Sequence, residues 1–426
     1  MNASNNRKVK MLMIGHYQNG SGLTTVLTTL AEQLAHHYQV GVLGLSKQDE
    51  VTPKSLIQSY TLHLQTLRTT VFTVERKWLQ EHMRAECPEI IVVMGPAYLT
   101  RQLLHQLQPF RSKAKIVLYL SVEGELIDKK VLSIFPLMDH CIVYSKFTLK
   151  NIEDLYLQGQ TPFVKPEFSV VGHGLDLHDF FPVPSGQIAI PELRKTYFPH
   201  SPELHQAFII LNANRNYYRK RLDLTILGFS IFAQDKPDAF LYLHTGEMSK
   251  EQEEKLQELI FNSGVADRIL VNPLTPKGEK LSKAKLNILY NMCDVGLTTA
   301  MGEGWGLTAF EHAASGAAQV MPFHSTFMEN WKESALFIPV THTEFVFYEY
   351  ANMYVVSAQD VANALSPLYL NRVYRMKMAK AAIAKANDKK LDWKNIGDRF
   401  KNALQRTKQK INYPQISTGL IELPAQ

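Results

Sequence analysis

The sequence predicts an α/β protein of two successive doubly wound domains. Short apolar segments bounded by turns recur along the chain, and segments of helical period lie between them. Apolar strands that alternate with helices are typical of parallel sheets built from βαβ units. A proline-rich stretch near the middle of the 426-residue chain separates this alternation into two series.

The first series begins with an apolar strand at Val9–Ile14, followed by a loop that contains Gly20 and Gly22. Apolar residues after the loop recur at the spacing of one helix face. Further strands are predicted at Val40–Leu45, Ile90–Met94, Ile116–Leu120 and His140–Tyr144. These elements assign residues 1–182 to an N-terminal domain.

The prolines fall within residues 183–204, which we interpret as an inter-domain linker. The second series then occupies residues 205–390. Its strands are predicted at Phe208–Ala213, Ala239–His244, Ile269–Val271, Val295–Thr298 and Ala318–Met321, and two of its helices at Leu222–Ala233 and Lys283–Asn291.

The composition excludes several classes of protein. A hydrophobic fraction of 45% and a charged fraction of 20% exclude a disordered or collagen-like chain. The longest apolar stretch, Ile90–Leu99, is shorter than the ~20 residues of a membrane-spanning helix. Three widely separated cysteines, at positions 87, 141 and 293, fit neither a disulfide framework nor a zinc site. A reducing, cytoplasmic setting is therefore expected.

Positive charge is concentrated near the C-terminus. Between Arg372 and Lys410, thirteen Lys and Arg stand against three Asp, a local charge of +10 in a chain of net charge +6. The block could be a solvated helix face. Alternatively, it could contact an anionic membrane, which attracts each nearby basic residue by roughly 1 kcal/mol. A nucleic-acid partner is not expected, because the chain has neither zinc-finger spacing nor an RNA-binding aromatic signature.

The most informative segment is CDVGLTTAMGEGWGLTAFEHAASG, from Cys293 to Gly316. A predicted strand leads into a glycine-rich turn and then into a helix from about Leu307. Glycines let a ligand approach the backbone, and a helix start favours an anion such as phosphate. Two carboxylates, Glu303 and Glu311, flank this helix start, and a carboxylate can accept two hydrogen bonds from a vicinal diol. They could therefore hold a sugar and a ribose on either side of a pyrophosphate.

The run MGEGWGLTAFEHAASG resembles the E-x7-E signature of the family 4 retaining glycosyltransferases, present here as Glu303-x7-Glu311. The segment NANRNYYRKRLD resembles the family's Arg-x4-Lys stretch, matched by Arg215 and Lys220. Four further segments resemble the family in the same order: GSGLTTVLTTLAEQL, VYSKFT, VGHGLDLHDFFPV and LYNMCDVGL. The resemblance extends from about residue 10 to about residue 335.

The resemblance implies the GT-B fold, in which two Rossmann-like domains face a central cleft. It also implies that a C-terminal helix, residues 391–412 here, packs back on the N-terminal domain. The N-terminal domain would bind the acceptor and the C-terminal domain the donor. The implied activity is transfer of a sugar from a UDP- or GDP-sugar to an acceptor hydroxyl of a glycan or lipid-linked acceptor, with retention of configuration. No metal or other cofactor is implied, and the sequence contains no Asp-x-Asp pair.

The resemblance also assigns roles to residues. Arg215 and Lys220 would bind the donor diphosphate and stabilise the charge that develops on it, and Glu303 would contact the transferred sugar. Glu311 would accept hydrogen bonds from the ribose hydroxyls. The other donor-binding positions implied are backbone N–H groups or close-approach glycines: Gly20, Gly22, Gly304, Trp305, Gly306 and Leu307.

Three positions depart from the family pattern. The family often has a first-domain histidine after the strand at Ile116–Leu120, where this chain has Glu123, which we therefore consider an acceptor-contacting candidate. The position after Lys220, often glycine in the family, is Arg221, and Trp305 stands where phenylalanine is common.

Other interpretations remain open at this stage. The two glutamates could be a helix cap and an exposed helix residue, and Arg215 and Lys220 could be solvated loop charges. The chain could be a non-catalytic nucleotide-sugar-binding protein, or a GT-B phosphorylase or epimerase. A nucleotide-linked redox domain is disfavoured, because the loop after the first strand does not give G-x-G-x-x-G.

Overall fold

Two parallel sheets form the framework of the protein. The structure is a computed structural model that describes residues 7–18, 20–46, 60–66, 72–158, 163–183, 190–275 and 280–407. Each sheet carries helices that connect its parallel strands, so the predicted α/β architecture of two doubly wound units is confirmed.

Within the described residues, the first sheet has seven parallel strands. In chain order, strands β1 to β8 are Lys10–His16, Gln39–Ser46, Thr61–Thr66, Ile90–Pro96, Lys115–Ser121, Glu125–Leu126, His140–Val143 and Glu167–Val170. Helices α1 to α4 are Gly22–Ala35, Arg76–Glu86, Ala97–Leu107 and Lys146–Leu157. The spatial order is β3-β2-β1-β4-β5-β7-β8, and β6 belongs to another sheet. Strand β4 is buried along its whole length, as expected for a central parallel strand.

The second sheet has six described strands in the order β11-β10-β9-β12-β13-β14. Strands β9 to β16 are Phe208–Asn212, Ala239–Leu243, Ile269–Val271, Val295–Leu297, Ala318–Pro322, Leu336–Ile338, Val340–Val346 and Ala351–Val356. Helices α5 to α9 are Ile190–Tyr197, Leu222–Ala233, Lys250–Asn262, Lys283–Asn291 and Leu307–Ala314. Helices α10 to α13 are Ser325–Trp331, Ala358–Leu370, Arg372–Ala386 and Trp393–Arg406.

A small antiparallel sheet joins the two domains. Strands β15 and β16 form a hairpin that follows the second sheet, and β16 pairs with β6 of the first domain through Leu126 and Ala351. Backbone hydrogen bonds therefore cross directly between the domains at this point.

A helix cap also crosses between the domains. The carboxylate of Glu329, on α10, accepts hydrogen bonds from the backbone N–H groups of Lys146 and Phe147, at distances of 3.1 and 2.9 Å. These N–H groups belong to the first turn of α4, where a helix leaves its donors unpaired. The second domain thus supplies an N-terminal cap to a helix of the first.

Helix α13 returns to the first domain and packs against α1. Its apolar stripe, which includes Ile396, Phe400 and Leu404, is buried in the same cluster as the core-facing residues of α1 and β1. The stripe has the spacing of one helix face, so burial of this face fixes the helix on the sheet.

The stretch 183–204 contains α5, which packs on the second domain. Arg194 of α5 is buried and donates to the carbonyl oxygens of Ala207 and Met292 and to the carboxylate of Asp294. These bonds attach the helix to the start of β9 and the end of α8.

The basic block lies mainly on α12 and α13. Leu370, Val373 and Met376 are 75%, 78% and 60% exposed beside its first basic residues. Contact of this surface with a membrane stays a prediction. No helix in the described ranges is both long and apolar enough to cross a bilayer.

Candidate active site

The glycine-rich turn after β12 lies directly against the first domain. A Cβ atom on Gly302 would lie 2.3 Å from the carbonyl oxygen of Glu123, so only glycine fits at this position. A Cβ on Gly304 would lie 3.1 Å from Oγ of Ser121. Gly306 has a φ of +87° where it precedes α9, a left-handed conformation that glycine adopts at little cost. The turn can therefore bring backbone from both domains together.

Two cations and two carboxylates meet beside this turn. Lys220 forms an ion pair with Glu303 of the same domain, and Arg219 forms one with Glu123 of the first domain. Arg219 also donates to the carbonyl oxygen of Gly302 at 2.7 Å and lies 3.6 Å from the carboxylate of Glu303. The Lys220 and Glu303 side chains are only 13% and 12% exposed. We call these four side chains the cleft charge cluster.

The cations of the cluster keep Glu303 ionised. Burial acts to raise the pKa of Glu303, but the charges of Lys220 and Arg219 outweigh burial and hold this pKa below its usual value. Burial lowers the pKa of Lys220, against the opposing effect of Glu303. Desolvated charges of this kind interact more strongly than they would in water. The site therefore offers an ionised carboxylate and an ammonium group in a poorly hydrated corner.

A further carboxyl group lies next to the cluster on the domain-joining hairpin. Burial, reinforced by the charge of Glu123, raises the pKa of Glu349 to about 8. Burial also raises the pKa of Glu123, although Arg219 opposes this effect. Near neutral pH this corner thus contains a protonated carboxyl group beside a second acidic group.

The starts of α1 and α9 face each other across the cleft. A Cβ on Gly22 would lie 3.4 Å from Cδ1 of Leu307, and each of these residues opens its helix. Within the described residues, neither helix start has a side-chain cap hydrogen bond. Arg215, which is half-buried, donates from Nη2 to the carbonyl oxygen of Gly20 at 3.1 Å. Two helix N-termini and a guanidinium therefore converge on one region, an arrangement that favours an anion.

Glu311 lies on α9 and has different partners. Its carboxylate accepts a hydrogen bond from the hydroxyl of Tyr290 at 2.9 Å. Burial raises the pKa of Glu311 to about 7, although the Tyr290 bond and the charge of Lys283 oppose this effect. The structure therefore places Glu303 in the cleft charge cluster but directs Glu311 toward α8.

Two glycines of the VGHG segment accommodate two tryptophans. A Cβ on Gly172 would lie 2.2 Å from the ring of Trp305, and a Cβ on Gly174 would lie 2.4 Å from the ring of Trp393. The Trp305 ring also packs on His173 and Phe310, with ring centroids 5.6 Å apart in each case. The side chain of Trp305 is thus packed between the domains. A role in ligand binding would therefore fall to its backbone N–H group.

Arg221 adopts a left-handed backbone conformation, which favours glycine. Its φ is +47°, in the left-handed region that L-residues enter at a cost of roughly 1 kcal/mol. The guanidinium forms a forked pair with Asp223, at 2.8 to 3.1 Å. Its side chain is therefore held by Asp223 rather than by the cleft charge cluster.

Sequence reasoning missed three groups at the site: Arg219, Glu349 and His324. Nε2 of His324 donates to the carbonyl oxygen of Ala300 at 2.8 Å, and Nδ1 of the neutral ring accepts from the hydroxyl of Ser325 at 2.9 Å. Burial lowers the pKa of His324 to about 4, so the ring is neutral. The adjacent basic residues in NYYRKRLD were a signal for Arg219, whereas Glu349 and His324 come from segments with no motif.

The fit of Trp305 against Gly172 can be tested by a double-mutant cycle. Gly172→Ala should destabilise the protein by about 1–3 kcal/mol, the usual cost of overpacking, because the new methyl group meets the indole. In a Trp305→Ala background this extra cost should nearly vanish. Gly174→Ala, which meets Trp393 instead, should keep its full cost in that background. Thermal and denaturant unfolding measure all the variants, and equal costs of Gly172→Ala in both backgrounds would contradict the packing described.

No family model matches the chain. Among curated proteins, mannosylfructose-phosphate synthase from Agrobacterium fabrum is 27% identical over 156 residues, which are 35% of this chain and 31% of the relative. The matched part therefore spans less than a third of that protein's length.

Three solved structures resemble nearly the whole chain. Sucrose-phosphate synthase from Thermosynechococcus elongatus has a TM-score of 0.70 at 14% identity and is matched over 93% of this chain and 98% of its own. HepE from Anabaena, in complex with UDP and glucose, has a TM-score of 0.68 at 16% identity over 93% and 99%. The α,α-trehalose 6-phosphate synthase from Burkholderia multivorans has a TM-score of 0.66 at 14% identity over 94% and 96%. The predicted fold is confirmed: the chain has the GT-B fold of these glycosyltransferases.

Proposed function

We propose that this protein is a retaining glycosyltransferase that moves a sugar from a nucleoside-diphosphate sugar to an acceptor hydroxyl. The observation that carries the proposal is the cleft charge cluster beside the start of α9. A lysine, an ionised glutamate and a glycine-rich helix start lie together there, facing the first domain. These are the groups that a phosphorylated sugar donor requires.

The donor diphosphate would occupy the region between the starts of α1 and α9. Arg215 is half-buried, and its guanidinium donates to a backbone carbonyl oxygen but forms no ion pair with the described residues, so it can turn toward a phosphate. Lys220 would exchange its carboxylate partner for a phosphate oxygen. Glu303, released from Lys220, would then accept hydrogen bonds from hydroxyl groups of the transferred sugar.

The chemical step would need no protein nucleophile. The bond between the anomeric carbon and the diphosphate oxygen breaks as the acceptor oxygen bonds to the same face of that carbon. The acceptor proton passes to an oxygen of the departing diphosphate, so the products are the glycoside and the nucleoside diphosphate. Lys220 and Arg215 would stabilise the charge that grows on the leaving group, the kind of preorganised electrostatic effect that dominates many enzymes.

The acceptor would lie against Glu123 at the carboxyl end of β5. The only described cation in contact with Glu123, Arg219, is already shared between two carboxylates. Glu349, with its raised pKa, adds a carboxyl group that can donate a hydrogen bond. A donor and an acceptor side by side suit sugar hydroxyls, so we propose a glycan or a lipid-linked sugar as acceptor.

Removal of the Lys220 charge tests this assignment. A panel of nucleotide sugars, scored by the rise in melting temperature on binding, first identifies the donor. Lys220→Met should then lower kcat by roughly 10²–10³-fold, the loss typical of one group that stabilises transition-state charge. Because Lys220→Met leaves Glu303 buried without its partner, the double variant Lys220→Met/Glu303→Gln should restore folding but not activity.

Lys195→Met provides the matched control, since Lys195 also pairs with a glutamate, Glu192, but on the surface. It should retain full activity. A folded double variant with undiminished transfer would overturn the assignment. Release of a sugar phosphate, formation of an epimerised donor, or tight donor binding without any turnover would instead support the phosphorylase, the epimerase or the binding-protein alternative.

The raised pKa of Glu311 predicts a pH dependence of donor affinity. A ribose diol donates its hydrogen bonds best to an ionised carboxylate. With a pKa of about 7, Glu311 is mostly protonated at pH 6 and mostly ionised at pH 8. Donor affinity should therefore rise up to about tenfold over this range and be lost again as the pH falls. Glu311→Gln should flatten the profile measured by calorimetry, and an unchanged slope in this variant would exclude Glu311 as the group that titrates.

A further inference from the structure

A second cluster of chemically active side chains lies outside the cleft. It consists of His63 on β3 and of His82 and Glu86 on α2. His82 and Glu86 are four residues apart, so they lie on one face of the helix. His63 pairs in register with Leu43 of β2, on the edge strand of the first sheet, and α2 lies beside this strand. The proposed transfer reaction uses none of the three residues.

The ligand atoms of these side chains are grouped at metal-binding distances. One nitrogen of each imidazole and one carboxylate oxygen all lie within 4.8 Å of one another. Nε2 of His63 and Oε1 of Glu86 are 3.5 Å apart. Two ligands at about 2.0–2.2 Å from a tetrahedral zinc ion are themselves about 3.3–3.5 Å apart. This pair therefore has the required spacing already, and a ring nitrogen of His82 lies within 4.8 Å of both atoms.

Both imidazoles also carry a polar atom without a hydrogen bond. Nε2 of His63 and Nε2 of His82 are buried and have no hydrogen-bond partner among the described residues. A buried polar atom without a partner costs about 1–3 kcal/mol, so such atoms are rare without a reason. The contact with Glu86 gives Nε2 of His63 an electrostatic partner but no hydrogen bond. It leaves Nε2 of His82 without a hydrogen bond as well.

Neighbouring rings hold the cluster in place. The ring of His82 is stacked on Trp78 with centroids 4.7 Å apart, and it meets the ring of His63 edge-on at 4.6 Å. Burial, and next the neighbouring His63, lower the pKa of His82 and so favour its neutral imidazole. Neutral imidazole is the form that binds metals.

We propose that His63, His82 and Glu86 bind a divalent transition-metal ion of the zinc type. Two imidazoles and one carboxylate are a ligand set found for zinc, with a fourth position left for water. The ion would connect the edge strand β3 to the end of α2. The ion would keep an open coordination position, and its ligands in the first domain are separate from the residues of the proposed sugar-transfer site.

Titration of the metal-free full-length protein with Zn²⁺ alone tests the proposal. Calorimetry should find one equivalent bound, and the melting temperature should rise with Zn²⁺. We expect weaker Zn²⁺ binding in each of three variants: His63→Gln, His82→Gln and Glu86→Gln. Loss of an outer-shell partner weakens metal binding by roughly 10- to 100-fold, and loss of a direct ligand should weaken it further. His37→Gln is the matched control, because His37 also faces a carboxylate, that of Asp398, at 3.6 Å.

Trp78 provides a local readout. Its stacking on His82 predicts that Zn²⁺ changes tryptophan fluorescence, and that Trp78→Phe abolishes the change while one equivalent still binds. If a histidine variant fails to fold, X-ray absorption at the zinc edge of the wild-type protein decides the question, with two imidazole ligands expected. Undiminished Zn²⁺ binding by the three variants, equal loss in His37→Gln, or a zinc spectrum without imidazole would overturn the proposal.

Discussion

The pairing of Lys220 and Arg219 with carboxylates at the domain boundary is the interaction on which the cleft depends. Arg219 connects Glu123 of the first domain to the turn that carries Glu303, and Lys220 neutralises Glu303 from the other side. Burial makes each charge costly unless its partner is present. Arg219 therefore connects the two domains, and Lys220 beside it is the cation that, under the proposed function, a phosphorylated donor would take from Glu303.

Shape supports this electrostatic arrangement. Gly302 allows the turn to touch the first domain, and Gly172 makes room for Trp305, so the two domains approach within van der Waals contact at the cleft. The β16–β6 pairing and the Glu329 cap add backbone hydrogen bonds at two other places on the interface. The charge cluster thus lies within an interface held at several points. Its groups are therefore preorganised to stabilise charge without relying on the reorientation of water.

Many regular elements could be predicted from the sequence because their signals are local. Helices at Leu222–Ala233 and Lys283–Asn291 and the strand at Ile269–Val271 were predicted with the bounds that the structure has. Strand β3 was missed, since it is a short edge strand of alternating polar residues, and the β15–β16 hairpin carries no motif. At the site, the roles of the motif residues stay predictions. The Arg219–Glu123 pair was not predicted, because it joins residues far apart in sequence and depends on how the domains pack.

The most direct test is a crystal structure of the protein with a bound nucleoside diphosphate. We expect the diphosphate between the starts of α1 and α9, in contact with Arg215 and Lys220, with Glu303 released from its lysine partner. A diphosphate bound elsewhere, with the Lys220–Glu303 pair intact, would contradict the proposal that this charge cluster is the donor site.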